Sequence, residues 1–163
     1  MSWETPSALL LQIHIAVSII GILSGLVVLF GLMTAKALRG WTAAFLGASV
    51  LTSVTGFPLP PFGFDPPRAV GVISLVLLAV AVAAYYVFRL SHAWRLLYVG
   101  AATIALYLNV FVAVTQAFEK LPVLRSLAPT QSEPPFVVAQ LAVLVVFIVL
   151  IVIAAVRFHP ETT

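Results

Sequence analysis

Long apolar runs, one after another, constrain this chain more than anything else in it. They cover Ala8 to Met33, Gly40 to Phe57, Ala69 to Phe88, Trp94 to Phe118 and Pro135 to Val156. A helix needs about 17–25 mostly apolar residues to cross the roughly 30 Å hydrocarbon core of a bilayer. Backbone in hydrocarbon finds no water, so such runs cross as helices that bond their own N–H and C=O groups. The expected fold is therefore all-α: a single integral-membrane domain over residues 1–163, a bundle of five transmembrane helices. The second run is short and carries Thr42, Ser49, Thr52, Ser53 and Thr55. Four spans plus a re-entrant helix over 40–57 is the alternative.

The charges favour five spans. Only 8% of residues are charged, against about 25% in an ordinary soluble domain. With the N-terminus outside, Lys36, Arg39, Arg89, Arg95 and Arg157 fall inside. Arg68, Lys120 and Arg125 fall outside, with Glu4, Asp65, Glu119 and Glu133. That is the excess of Lys and Arg expected on the cytoplasmic side, and it implies an N-terminus outside and a C-terminus inside. Trp41, Tyr85, Tyr86, Trp94 and Tyr98 cluster at the inner boundary, where amphipathic rings settle. No Lys or Arg precedes the first run, as a secretory leader would require, so that run is read as a retained span. Thr5-Pro6 reads as an N-cap followed by proline at the first helical position.

Several function classes drop out. With no cysteine, thiolate zinc sites, iron–sulfur clusters, disulfides and thiol nucleophiles are excluded. The net charge of +3 comes from basic residues spread over loops, not from the stripe that nucleic acid demands. No paired-carboxylate, Ser/His/Asp, HExxH, P-loop or GxGxxG pattern occurs, so no catalytic residue is assigned and the chain is read as leaning away from an enzyme.

The polar residues within the runs carry what remains. Polar side chains in a bilayer turn toward the bundle or a cavity. At about 1.5 Å per residue, His14 lies about 9 Å below the outer end of its run, Gln140 about 7 Å and Asn109 about 13 Å. Thr52 and Gln116 occupy the same outer half. On the first run His14, Ser18, Gly21 and Gly25 share a face. Gly21-Ile-Leu-Ser-Gly25 is a small-xxx-small motif that admits a close helix neighbour, either within the chain or in a homodimer. His14 is read as a hydrogen-bonded core histidine or a ligand contact. A haem clamp within one chain fails on distance, because His92 and His159 belong to the opposite membrane side. Those two stand beside Arg89, Arg95 and Arg157, so no metal site is assigned there. Asn109 is read as glue between helices, Gln116 as the better ligand candidate, and Glu133 as a partner for Lys120 or Arg125 or as a proton acceptor.

Over this stratum lie two outer segments, FPLPPFGFDPPR and EKLPVLRSLAPTQSEPP, which hold nine of the eleven prolines. Proline fixes φ and removes a backbone donor, so these segments are either shaped lids or plain helix stops. The wording SVTGFPLPPFGFDPP and ALYLNVFVAVTQAFEKLPVLRSLAPTQSEPPF resembles a group of small multi-span bacterial inner-membrane proteins to which no activity attaches. The likeness runs from Ser53 to the end, and it implies a bacterial inner-membrane location for this chain. A looser likeness touches multi-span proteins with histidines before their second span; AKALRGW has none, which argues against haem.

Together these features predict a non-enzymatic binding or accessory protein. Its polar outer-leaflet pocket would be built from His14, Thr52, Asn109, Gln116, Glu133 and Gln140 and would take a small amphiphile or a membrane partner subunit. A quinone- or haem-linked redox protein and a small-solute transporter are the alternatives. No acid lies within any run, and coupled transport usually wants one.

Overall fold

Each apolar run closes its backbone bonds as a helix. The fold is that of a computed structural model, which describes residues 6–59 and 66–159; Thr5 and Asp65 lie outside these. The helices are α1 (Pro6–Met33), α2 (Arg39–Gly56), α3 (Pro66–Val82), α4 (Ala93–Lys120), α5 (Pro122–Leu127) and α6 (Pro134–Arg157), and α3 ends in a π-helical turn, Ala83–Val87. No strand occurs among the described residues. The chain is an all-α bundle, and α1, α3, α4 and α6 are each long and apolar enough to cross a membrane. The short helix α5 lies in what the sequence reads as a proline-rich connector. Leu121 is extended, and Pro122 starts the helix where a missing N–H costs nothing.

Long helices that follow one another along the chain run antiparallel. Gly31 faces Leu38, Gly25 faces Phe45, Gly21 faces Ser49, and His14 lies against Gly56, so α2 retraces α1. The ring of Tyr107 meets Phe147, and that of Phe118 meets Phe136, so α6 retraces α4. Two ends result. The cap end gathers the start of α1, the end of α2, the starts of α3 and α6, the end of α4, and α5. The basic end gathers Lys36, Arg39, Arg89, Arg95 and Arg157, with no acid among the described residues.

The core is deepest around α4, which touches α1, α2, α3 and α6. Its buried face runs through Tyr98, Ala101, Ala102, Ala105 and Leu106, and the three alanines let neighbouring backbones come close. Tyr98 is buried, and its hydroxyl meets the Thr42 hydroxyl at 3.3 Å, which joins the starts of α2 and α4. The small-xxx-small motif is used within the chain. A Cβ at Gly25 would stand 2.6 Å from a Leu106 methyl and 2.8 Å from the Phe45 ring, so three helices meet on that one missing side chain.

Helix ends leave carbonyls without intrahelical partners, and the protein supplies them. Behind α1, Lys36 N–H bonds Gly31 O at 2.8 Å while Ala35 takes φ 57°. This is a Schellman closure with alanine where glycine is usual. Arg68, in the first turn of α3, donates to Phe57 O and Leu59 O at 3.2 and 2.8 Å and so closes α2. Arg95, in the first turn of α4, donates to Ala155 O and Phe158 O and closes α6. Each arginine reads in the sequence only as a side-assigning charge.

Packing at Gly25 and empty space at Gly47 predict opposite outcomes. Gly25→Ala should destabilise the bundle by about 1–3 kcal/mol through overpacking. A Cβ at Gly47 would meet nothing within 4 Å, so Gly47→Ala should leave stability unchanged or raise it by about 0.5–1 kcal/mol. Thermal unfolding of the two variants in detergent checks this.

Candidate functional site: the polar stratum and the cap

At the cap end, His14, Asn109 and Gln140 each meet a neighbouring helix across a different interface. His14 on α1 reaches α2, with Nδ1 3.0 Å from Thr55 Oγ1. The Thr55 hydroxyl donates to Leu51 O at 2.6 Å. Its one proton is thereby committed, so the network assigns Nδ1–H as the donor to Thr55 and leaves Nε2 as the acceptor. Gly56 makes room: a Cβ there would stand 3.4 Å from His14 Cε1.

Asn109 on α4 donates from Nδ2 to Ser49 Oγ on α2 at 3.0 Å. Gln140 on α6 is buried and donates from Nε2 to Phe111 O and to Thr115 Oγ1, both at 3.1 Å on α4. Its Oε1 has no partner among the described residues, and neither do the buried hydroxyls of Thr52 and Thr103. Gln116 lies at the edge of α4 and donates to Glu119 Oε2 at 3.3 Å. It also borders an apolar crevice of about 70 Å³ between α3 and α4, far below the roughly 300–1,000 Å³ of sites that enclose a small molecule.

The six candidates therefore do not share one interface. His14 joins α1 to α2, Asn109 joins α4 to α2, Gln140 joins α6 to α4, Gln116 stays on α4, and Glu133 belongs to the connector above them. Thr52 stands on α2 with its hydroxyl unpaired among the described residues. Thr55, Ser49 and Thr115 are the partners that make these links. Serine and threonine at helical spacing are the only signal for them in the sequence.

The segment Leu127-Ala-Pro-Thr-Gln-Ser-Glu-Pro-Pro-Phe136 folds on its own acid. Glu133, the N-cap residue of α6, accepts at its carboxylate from Thr130 N–H (3.1 Å), the Thr130 hydroxyl (2.9 Å) and Ser132 N–H (3.1 Å). Its carboxylate is thus engaged within the connector. Gln131 takes φ 58° and ties the connector down by donating to Thr115 O at 3.1 Å. Desolvation works to raise the Glu133 pKa, but the hydrogen-bond donors together outweigh it and hold the carboxyl below the usual range.

Beside this connector lies an open cleft of about 690 Å³, bordered by Phe118, Glu119, Lys120, Arg125, Pro129, Thr130 and Gln131. Neither the Lys120 nor the Arg125 side chain has a hydrogen-bond or ion-pair partner among the described residues. The cleft combines two cations without an ion-pair partner among the described residues, one acid and a buried aromatic floor at Phe118. Of the cleft residues, Lys120 and Arg125 stand out in the sequence as outer-side charges and as partners for Glu133, which is read there also as a proton acceptor.

Histidines do not converge: His14 lies at the cap end, while His92 precedes α4 and His159 follows α6 at the basic end. Among the described residues no three His, Asp or Glu side chains gather as a metal-ligand set. No family model, curated protein or solved structure matches the chain.

The connector and the interhelical bonds can each be probed. A carboxyl whose pKa is lowered on folding contributes order above its unfolded pKa, and that order is lost as pH falls through the lowered folded value. Exchange protection of the Thr130 and Ser132 amides should therefore hold at neutral pH and collapse in acid, and Glu133→Gln should lose the pH dependence. Asn109→Leu should cost about 0.6 kcal/mol, and no more than about 1.7, the range for single interhelical hydrogen bonds in membranes; unfolding in mixed micelles measures it.

Proposed function

We propose that this is a five-span inner-membrane protein of bacteria, N-terminus outside and C-terminus inside. It acts without catalysis as a binding or accessory protein, and it engages a small amphiphile or a membrane partner subunit at its outer cap. The observation that carries this reading is the cap cleft, with two cations unpaired among the described residues at the end of a bundle whose other polar groups mostly bond one another. Residues engaged in interhelical bonds are poor candidates for a ligand, so the site moves from the buried stratum to the surface above it.

The fifth span is α2. Its 18 residues give about 27 Å, close to the hydrocarbon thickness, and its contacts follow α1 from Gly31 to His14. A half-depth re-entrant helix would leave part of α1 without that partner. The orientation rests on the five basic residues gathered at one end.

The chain has no cysteine, so single substitutions report sides cleanly. In cells, Ser126→Cys should react with an impermeant maleimide, while Ala37→Cys and Ser91→Cys should react only after permeabilisation. Ala37 and Ser91 on opposite sides would mean that α2 does not cross. Native mass spectrometry of protein extracted in mild detergent tests the binding role. A lipid, quinone or protein retained by the native chain is the expected result. A haem retained at one per chain would shift the reading to redox chemistry, and a bare chain under every mild detergent would remove it.

A further inference from the structure

The helix α5 is short, and none of its residues is buried. It starts two residues after α4 ends, and α4 is long and apolar enough to cross a bilayer. That fixes its depth near the headgroups. Along it, Leu121, Val123 and Leu127 are 53, 73 and 52% exposed, while Ala128 just beyond is buried and Leu124 half-buried. Val123 and Leu127 stand four apart and share one stripe, while Leu121 and Arg125 share another on the opposite side of the helix. An exposed aliphatic stripe opposite a cation on a short helix at headgroup depth forms an interfacial arrangement: the apolar stripe reaches the acyl boundary and the basic group meets headgroups.

The cleft continues this arrangement. Arg125 belongs to both α5 and the cleft, and Lys120 closes α4 beside it. Among the described residues the acids nearby are engaged: Glu133 by its own connector, and Glu119 by Gln116. The connector also presents the Thr130 and Gln131 side of the cleft, and Gln131 is held in place by its bond to Thr115.

We propose that the cap cleft binds the phosphate of a membrane phospholipid headgroup. Lys120 and Arg125 supply the charge-assisted hydrogen bonds, Leu121 on the Arg125 stripe rests against the first acyl carbons, and Val123 and Leu127 on the opposite stripe seat α5 in the acyl boundary. This rests on the reading of the cap as the binding face and names its ligand class. A phosphodiester fits better than a soluble anion because the cations stand next to exposed Leu121 on a helix whose opposite stripe is also aliphatic, and a free anion would leave these groups in water. Glu119, at the cleft edge, would repel a headgroup with further negative charge. The site is therefore suited to a lipid with a single phosphate, either zwitterionic or singly charged.

Native mass spectrometry in mild detergent, with a short-chain phosphatidylethanolamine and a short-chain phosphatidylglycerol titrated separately, tests this. The paired variant Lys120→Gln/Arg125→Gln should weaken the tightest lipid step by about tenfold or more, as expected for losing charge-assisted bonds. The pair Lys36→Gln/Arg39→Gln, at the other end, should leave that step within about twofold. Inorganic phosphate at millimolar concentration should not displace the lipid; displacement would make the site one for soluble anions and overturn the proposal. A tryptophan placed by Val123→Trp should be quenched by phospholipids brominated near the headgroup end of their acyl chains. No quenching, or lipid binding unchanged in a Lys120/Arg125 pair that keeps native helicity, would also overturn it. If lipid binding is unchanged but a co-purifying protein is lost in that pair, the lipid assignment fails while the cap remains the binding face. If neither is affected, both fail.

Discussion

Polar backbone and side-chain groups that leave water must find partners inside the protein, and that requirement organises this bundle. In hydrocarbon an unpaired group costs several kcal/mol, and helix ends are where pairs run out. Two arginines answer at opposite ends in the same way. Arg68 starts α3 and bonds the carbonyls that end α2; Arg95 starts α4 and bonds those that end α6. In each case a cation meets the negative pole of a neighbouring helix, where it is favoured. The end of α1 is closed by its own turn, with Ala35 in the left-handed region. The π-helical turn at the end of α3 leads into Arg89, Leu90 and His92, all at positive φ, and the Phe88 and Trp94 rings stack across it at 3.7 Å. That corner carries backbone strain which the ring stack and the Leu90 N–H to Ala84 O bond, 2.9 Å, hold in place.

Hydropathy and helical period make much of this legible in the sequence. The four long helices, the burial of Gly21 and Gly25, and the grouping of His14, Asn109 and Gln140 toward one end all follow from composition and spacing. The neighbour met by each face does not follow. Asn109 and Gln116 share a face on α4, yet Asn109 meets Ser49 of α2 whereas Gln116 borders α3. Helices cross at angles, so one stripe passes from one partner to another within two turns. Spacing reports a direction around a helix and says nothing about who stands there. For the same reason the arginine closures leave no local signal: Arg95 lies 60 and 63 residues from its acceptors. The helix α5 is hidden by its prolines, which read as a connector, although proline at a first helical position begins a helix as readily as it ends one.

The buried stratum behaves as fastening. His14, Asn109 and Gln140 each hold one pair of helices, and α2 and α4 each take part in two of the three links. Small residues along α4 allow close approach, and polar residues fix which approach is taken. The atoms at Thr52, Thr103 and Gln140 that have no partner among the described residues are exceptions, and nothing in the packing explains them.

The connector before α6 differs from the other corners in where its instructions lie. Glu133 gathers donors from Thr130 and Ser132 within three residues, and the side chain of its backbone-strained residue, Gln131, reaches α4. Its shape is written in its own sequence and does not depend on how α4 and α6 lean. Should those helices tilt with bilayer thickness, the connector would travel with the end of α4 as one rigid piece. The bilayer could then change where the cap stands without changing what the cap presents.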